Sequence, residues 1–434
     1  MTPAPQPKSL GSLVLRFFSS FGLATVVLSL LLLHTFLGTL EQVDHGLFES
    51  QKKYFESFIV WDIDVGCCLR AMHIPSGNFV MPVLLPGGFT LMALLALNLI
   101  CGGIMRIMKR LQKAREEGAS YNVLRFTGLV IAHGSMVFML LAGLVSMYWK
   151  KDGAAMLSEG QTTEEFQSFH DTAIEIQQVS PAADAGKGKA WVIDGSLFKD
   201  LKADAQSGKG RTFTQPGWPF EIMVMNYEVN CFPRKPEGEE TNRTVVDGYY
   251  LQPVAESPEQ EKNIDGAYVK ITHSDKRVET GILWRYANGP LTVTSGETTW
   301  AITLGRKIFK LPFAIRLDDF QREVHPGTER ARKFTSQITM IDDGQEHKKI
   351  ITMNEPLRSQ GYAVFQQSFD MSQRSDGTVT ERSQLEIVQN PSDHWPLISC
   401  IAVGFGLLIQ MGSQLTRFLS RQSSAPSIPT KAVS

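Results

Sequence analysis

The chain has 434 residues, 43 Lys and Arg against 44 Asp and Glu, a formal net charge of -1 and 43% hydrophobic residues. That length allows two or three domains, and the near-zero charge excludes a strongly basic nucleic-acid binder and an acidic solvating tail. Gly at 36 and Pro at 21 exclude collagen-like and low-complexity chains, while five scattered Cys without a C-x-x-C exclude a disulfide scaffold, a thioredoxin-type pair and a c-type haem attachment site.

Residues 1–16 read as a cytoplasmic tail. The first apolar run, FFSSFGLATVVLSLLLLHTFLG over about 17–38, is longer than a signal-peptide core and no small-residue cleavage site follows it. It reads as a retained transmembrane helix, because about 20 apolar residues cross a bilayer. The segment 41–79 is mainly acidic and reads as an outer loop. Its FESQKKYFESFIVWDIDV stretch is amphipathic, as in a segment lying on a membrane surface, an ordinary helix or a segment docking a partner. Adjacent Cys67 and Cys68 read first as two membrane-proximal thiols and second as a redox switch, since a disulfide between neighbours is strained.

A second apolar run covers about 80–105, a third about 126–149 and a fourth about 395–416, and none of the four carries Asp, Glu, Lys or Arg. The basic connector from Arg106 to Arg125, with Lys8 and Arg16 before the first run and Arg417, Arg421 and Lys431 after the fourth, places both termini in the cytoplasm by the positive-inside rule. The tail 417–434 reads as disordered.

Residues 150–394 are then extracytoplasmic. Apolar residues alternate there in short runs: TAIEIQQV, FEIMVMNYEV, GAYVKITH, TTWAITLG, SQITMID, KKIITMN, GYAVFQQSF and RSQLEIV. Period-2 alternation predicts strands. Segments 180–190, 203–218 and 233–245 read as loops or an inserted arm. The expected fold is therefore a membrane protein: four transmembrane α-helices, with a large mainly-β domain, sandwich or open barrel, inserted between helices three and four.

Three histidines stand out. His133 lies near the middle of the third apolar run, where an ionisable side chain is expensive and usually functional. Neutral imidazole is a common axial ligand of haem iron. Gly134 beside it would admit a flat macrocycle or another helix. The competing reading is a hydrogen bond across the bundle. His34, near the outer end of the first run, is either an interfacial residue or a ligand. His394 precedes Trp395 at the mouth of the fourth run and is either belt chemistry or part of an outer haem site. An electron-transfer cytochrome with His34 and His133 as its two ligands would need both at one depth. No nucleotide loop or nucleophile elbow occurs.

Several stretches resemble the ResB (CcsB-type) family of cytochrome c biogenesis proteins, System II. They are RFFSSFGLATVVLSLLLLHTFLGTLEQ, VIAHGSMVFMLLAGL, the fourth run after NPSDHWP and, above all, HPGTERARKFTSQITMIDDGQEHKKIITMNEPLRSQGYAVFQQSF. The last contains Pro326-Gly327, Phe334 to Ser336, Asn354 with Pro356-Leu357, and Gly361-Tyr362 with Gln366 or Gln367 and Ser368. Phe365 stands where relatives often carry Tyr. The resemblance implies a non-catalytic accessory subunit of a haem lyase complex in a bacterial inner membrane. It implies a ResC/CcsA-type polytopic partner with a tryptophan-rich motif, which this chain lacks, its seven Trp being dispersed. It also implies transient haem b shared with that partner, apocytochrome c as recipient, a thioredoxin-like thiol reductase nearby, and contact with lipid but not nucleic acid. His133 is the position matching the family's membrane histidines. A scaffold without haem is the alternative.

Overall fold

The computed structural model describes residues 10–116, 124–179, 190–201, 210–236, 243–328, 330–373 and 379–423. The chain forms two units, Met1–Lys150 with Asn390–Ser434, and Lys151–Gln389. Lys8, Lys431 and the expected disordered tail beyond Ser423 lie outside the described residues, as do most of 180–190 and the start of 203–218.

The first unit opens with α1 (Leu10–Phe18) and α2 (Phe21–Tyr54). The break between them is satisfied from α4 (Gly88–Glu116), whose buried Asn98 amide donates to the Phe18 and Ser20 carbonyls at 2.7 and 2.9 Å. A carbonyl freed at a helix end inside a bundle needs such a donor. The first apolar run was expected to end near residue 38, but helical structure continues to Tyr54 with one non-helical residue, Gly46, at φ 77° and ψ 166°. That backbone favours glycine. On a straight helix Glu41 and Lys53 would stand about 18 Å apart at 1.5 Å per residue. Here they touch, so the chain reverses at Gly46 and a short arm ending at Tyr54 returns along the first.

The arm leads into β1 (Ile59–Asp64), α3 (Val65–Ala71) and β2 (Val80–Pro86), with β1 and β2 paired antiparallel. Residues 48–65, whose amphipathic pattern left a surface-lying, a helical and a partner-docking reading open, form the end of the helical arm and a strand. One expectation is corrected: residues 80–86 form a strand, where the second helix was expected to begin. Pro82 and Pro86 suit a short edge strand and not a helix interior. α5 (Leu124–Trp149) and α6 (Trp395–Ser423) complete the unit, and α6 carries helix through residues 417–423, where a disordered tail was expected. Among the described residues, four helices are long and apolar enough to cross a membrane: Phe21–Tyr54, Gly88–Met105, Thr127–Trp149 and Trp395–Ser420. α4 packs against both α2 and α5, and α5 packs against α6.

Among its described residues the second unit is mainly β, with all strand pairs antiparallel and short 3-10 turns at Gly195–Leu197 and Gln260–Lys262. In chain order its strands are β3 (Lys151–Ser158), β4 (Thr162–Val179), β5 (Ala190–Asp194), β6 (Gly210–Phe213), β7 (Phe220–Glu228), β8 (Cys231–Arg234), β9 (Tyr250–Pro253), β10 (Gly266–His273), β11 (Val278–Trp284) and β12 (Leu291–Ser295). They continue with β13 (Thr298–Val324), β14 (Ala331–Asp342), β15 (Gln345–Thr352), β16 (Leu357–Ser359), β17 (Tyr362–Gln373) and β18 (Val379–Gln389). All eight alternating runs fall on strands. β6 lies inside a stretch expected as loop, and so does the end of β8.

A large sheet runs β15-β14-β13-β4-β3-β18-β17-β16, with β12 on β13 and β5 on β4; a smaller one runs β11-β10-β7-β6. The 18-residue β4 and 27-residue β13 pass through two cores. Around Ile174, Ile222, Val269 and Ile302 the small sheet packs on their paired halves as a sandwich. Around Phe166, Ile315, Ile338, Val364 and Leu385 the large sheet curls until β15 meets β17, as an open barrel does.

Asp194 ties the turn after β5 to β13. Its carboxylate accepts the Ser196 N–H at 3.0 Å and hydroxyl at 2.8 Å and pairs with Lys307 at 2.5 Å. Burial pushes its carboxyl up, but Lys307 and Ser196 outweigh burial and hold it at about 2, below the ordinary 3.8. A depressed folded-state value stabilises above the unfolded value and is lost as pH falls through the folded one. Acid titration followed by tryptophan fluorescence should therefore show a shallower loss of structure for Asp194→Asn than for wild type between about pH 4 and 2.

Candidate functional site

The reversal at Gly46 builds a buried polar cluster at the end of the first arm of α2. Glu41 is wholly buried, and three donors converge on it: the Tyr54 hydroxyl at 2.7 Å, the Asp64 N–H at 2.7 Å and the Lys53 ammonium at 2.8 Å. Lys53 also reaches Asp62 at 2.7 Å. Asp64 caps α3 by accepting the Cys67 N–H at 2.8 Å, and its other oxygen meets His45 Nε2 at 3.0 Å. Burial pushes the Asp64 carboxyl up, but the Cys67 and His45 hydrogen bonds outweigh it and leave the group below the ordinary value. Arg70, on α3, clamps Asp44 at 2.5 Å. The charged groups named here are thus satisfied against one another, as buried charges must be, while the nearby Ser50 hydroxyl is buried without a partner.

Cys67 and Cys68 sit in this cluster as free, buried thiols. Burial pushes the Cys67 thiol up to about 11, and the carboxylates of Asp44 and Asp64 act the same way. Burial raises Cys68 too. Little thiolate exists there near neutral pH, which fits packing thiols better than a redox pair.

His34 lies on the same arm as Glu41, seven residues earlier. It is wholly buried, its Nδ1 donates to the Leu30 carbonyl at 2.8 Å, and the Tyr54 ring stands edge-on to it at 5.6 Å. A carbonyl can only accept, so Nδ1 carries the proton and Nε2 holds the lone pair. That Nε2 is enclosed and has no hydrogen-bond partner. Tyr54, which the lock on Glu41 holds in place, closes the imidazole from the side of the returning arm.

His133 has the same internal hydrogen bond, Nδ1 to the Leu129 carbonyl at 3.1 Å, but it is only half-buried. Its Nε2 is therefore the atom free to bind. Beside it, Gly134 and Ser135 line an apolar groove with Phe138 of α5 and Ile398, Ser399 and Ala402 of α6. A Cβ on Gly134 would meet nothing within 4 Å. His394 is exposed, 4.0 Å from Asp393. His34 lies on α2, His133 on α5 and His394 in the turn that leads into α6. Among the described residues, no group of three or more His, Cys, Asp or Glu is placed to hold a metal ion.

Three residues of the HPGTER…QQSF stretch, Ser336, Gln366 and Ser368, meet Ser383 and Gln384 of β18 in the barrel lobe. The Ser336 and Ser383 hydroxyls lie 2.5 and 2.9 Å from Gln366 Oε1, the Gln366 amide donates to the Ser368 carbonyl at 2.8 Å, and the Ser368 hydroxyl donates to Gln384 at 2.6 Å. Of the two glutamines left open by the sequence, Gln366 is the buried one. The motif therefore marks a satisfied polar core.

Among the described residues, four helices long and apolar enough to span a membrane and a large mostly-β domain suggest a membrane protein with a β-rich domain. Residues 278–383, from β11 into β18, match the ResB-like family. Protein NrfI of Wolinella succinogenes is 25% identical over 158 residues, which is 35% of this chain and 16% of that protein. The chain thus matches well under two thirds of that relative's length. Both matches support the resemblance to ResB-type cytochrome c biogenesis proteins.

Sequence reasoning singled out His133 because it interrupts an apolar run. It missed Glu41, Lys53, Tyr54 and Asp64, whose meeting depends on Gly46. The available signal was a Gly inside a helical pattern with charges on both sides.

Proposed function

We propose that the chain is the ResB-type subunit of a System II complex that holds haem in the membrane and presents it to apocytochrome c on the outer side. The observation that carries this reading is His133: a half-buried imidazole about 14 Å along α5 at 1.5 Å per residue, proton fixed on Nδ1 and Nε2 available. Such a nitrogen fits the axial position of haem iron, and a fixed tautomer is what a ligand histidine needs. His34 fits less well, because its Nε2 is enclosed by its own fold, and His394 is exposed. The second axial ligand and the tryptophan-rich haem contact then come from a ResC/CcsA-type partner. Haem is cargo here, and its attachment to the C-x-x-C-H of the recipient belongs to that partner. The basic connector Arg106–Arg125 supports a cytoplasmic side for it and an inner bacterial membrane with residues 151–389 outside. There the β domain positions apocytochrome c, the partner's loops or a thioredoxin-like reductase.

The separation of the three histidines favours a second reading, a scaffold that binds no haem. The visible spectrum of detergent-purified complex, co-expressed with the tryptophan-rich partner, decides between them. His133→Ala should lower the Soret absorbance per protein by about tenfold, and free imidazole added to His133→Gly should restore it. An unchanged spectrum in both variants leaves the scaffold reading.

A further inference from the structure

β1 and β2 pair as a two-stranded sheet with two unlike faces. On one face Val60 is buried, and Asp62 and Asp64 meet Lys53 and His45 of α2. On the other, Trp61 is 65% exposed and Leu84 71% exposed, with Ile59 beside them. The ladder slips by one residue between Val60 and Asp62, so Trp61 stands opposite both Val83 and Leu84. A bulge of this kind re-aims a side chain. Two strands with an open apolar face are marginal in water, and such a face marks a surface that something covers.

The start of α4 fixes the height of this face. The Phe58 carbonyl accepts the Gly87 N–H and the Thr90 hydroxyl, both at 2.8 Å, and the Ser57 carbonyl accepts the Phe89 N–H at 3.1 Å. A Cβ on Gly87 would fall 2.3 Å from the Ser57 carbonyl oxygen, and one on Gly88 2.5 Å from the Phe55 Cα, so this strap needs both glycines. Gly88 is also the first residue of the spanning stretch Gly88–Met105. Phe58, 71% exposed, is therefore held at a membrane boundary. Rings of two helices stand at the same level: Phe58 lies 5.3 Å from Phe89 of α4, Phe89 lies 6.4 Å from Tyr148 at the end of α5, and Tyr148 lies 6.0 Å from Trp149. Tyr and Trp gather at that boundary because an apolar body carries a polar tip. Trp61 stands three residues beyond Phe58, about 10 Å along the strand. The headgroup layer on each side of a bilayer is only about 5 to 7 Å deep. An upright hairpin would thus carry Trp61 into water, and one lying along the surface keeps it in the layer. Exposed apolar residues continue to the far end of β2, at Phe79 and Val80, which suits the second arrangement.

We propose that the β1–β2 hairpin lies along the bilayer surface at the Gly88 end of α4, with Trp61 and Leu84 set into the headgroup–acyl boundary. The cover of the open face is phospholipid. Continuity carries that choice over a protein partner, since the face begins at the first turn of a spanning helix and shares its level with Phe89, Tyr148 and Trp149. The hairpin is then held from both sides, by lipid on Trp61 and Leu84 and by the ion pairs of Asp62 and Asp64 on α2. The inference rests on the membrane reading of the helices and not on haem, so any result for His133 leaves it standing.

The test is the tryptophan emission of the full chain in phosphatidylcholine nanodiscs. The share of Trp61 is the difference between wild type and Trp61→Phe. It is read once with phosphatidylcholine brominated on its acyl chains and once with iodide in the water. Bromine should remove most of that difference emission, and iodide little of it. Leu84→Glu, read against Leu84→Glu with Trp61→Phe, should reverse the two and shift the Trp61 emission to the red. Its thermal unfolding in detergent should stay as in wild type, because Leu84 is exposed. The wild-type comparison decides on its own if Leu84→Glu does not fold. Iodide quenching without bromine quenching in wild type would overturn the proposal and leave the face to a protein partner. Protection from both quenchers would overturn it too, giving the face to a second copy of the chain. Bromine quenching that Leu84→Glu leaves unchanged would overturn the flat placement of the hairpin.

Discussion

Glu41→Ala is expected to lower the stability of the helical unit by about 3 kcal/mol, the largest effect of any polar substitution outside the β domain. The reasoning is a count of what loses its partner. Glu41 is 1% exposed in its side chain, and its removal leaves the Tyr54 hydroxyl and the Asp64 N–H as donors without acceptors. Each such group costs about 1–3 kcal/mol when it stays buried. The Lys53 share is smaller. Lys53 is 27% exposed and keeps Asp62, itself 50% exposed, so water screens that pair. Glu41→Gln keeps an acceptor for Tyr54 or Asp64 and should lose less than half as much. Thermal unfolding in detergent measures both, and trypsin cleavage after Lys52 or Lys53 reports whether the returning arm has come loose. A change below about 1 kcal/mol for Glu41→Ala would mean that the arm is held by apolar packing on Gly38 and not by the polar lock.

The same lock explains why the sequence was a partial guide. The four spanning helices announced themselves by uncharged length, and the eight alternating runs by period, because both signals are local. The reversal at Gly46 is not local. Contacts 12 to 23 residues apart along the chain make it, and a single Gly in a helical pattern more often leaves the helix intact. Val80 to Pro86 misled for a related reason: hydropathy does not distinguish a strand from a helix, and only the spacing of Pro82 and Pro86 argued for strand. In the β domain, alternation gave strands but no neighbours. That β4 and β13 would serve two lobes depends on which edges meet. His133 was visible because an imidazole in an apolar run is costly wherever it points. That its Nε2 is available while the Nε2 of His34 is enclosed could not be read, since both lie one turn beyond a Leu whose carbonyl takes Nδ1.

Gly406→Val should separate α5 from α6 and cost about 3 kcal/mol, the upper part of the range for overpacking. A Cβ at Gly406 would fall 2.7 Å from the Gly128 carbonyl oxygen and 2.8 Å from the Ala132 nitrogen. One at Gly128 would fall 2.5 Å from the Gly406 oxygen. These are backbone atoms on both sides, so no rotamer change relieves the clash and the helices must move apart. Small residues that let backbones touch are what hold helices together in lipid, where no hydrophobic drive exists. The loss spreads outward along the same pair: the Phe138–Trp395 stack at 4.9 Å, the Asn390–Ser146 hydrogen bond and the Ser392 hydroxyl on the Ala142 carbonyl all require the present spacing. Gly134→Ala is the matched control. It lies on the same helix beside His133, its Cβ would meet nothing, and it replaces the poorer helix former with the better one. Thermal unfolding in detergent, with Trp395 emission as the local probe, should show a large drop for Gly406→Val and none for Gly134→Ala. Equal behaviour of the two would mean that α5 and α6 are kept together by their apolar faces alone, and the Gly128–Gly406 contact would then be incidental to the bundle that carries His133.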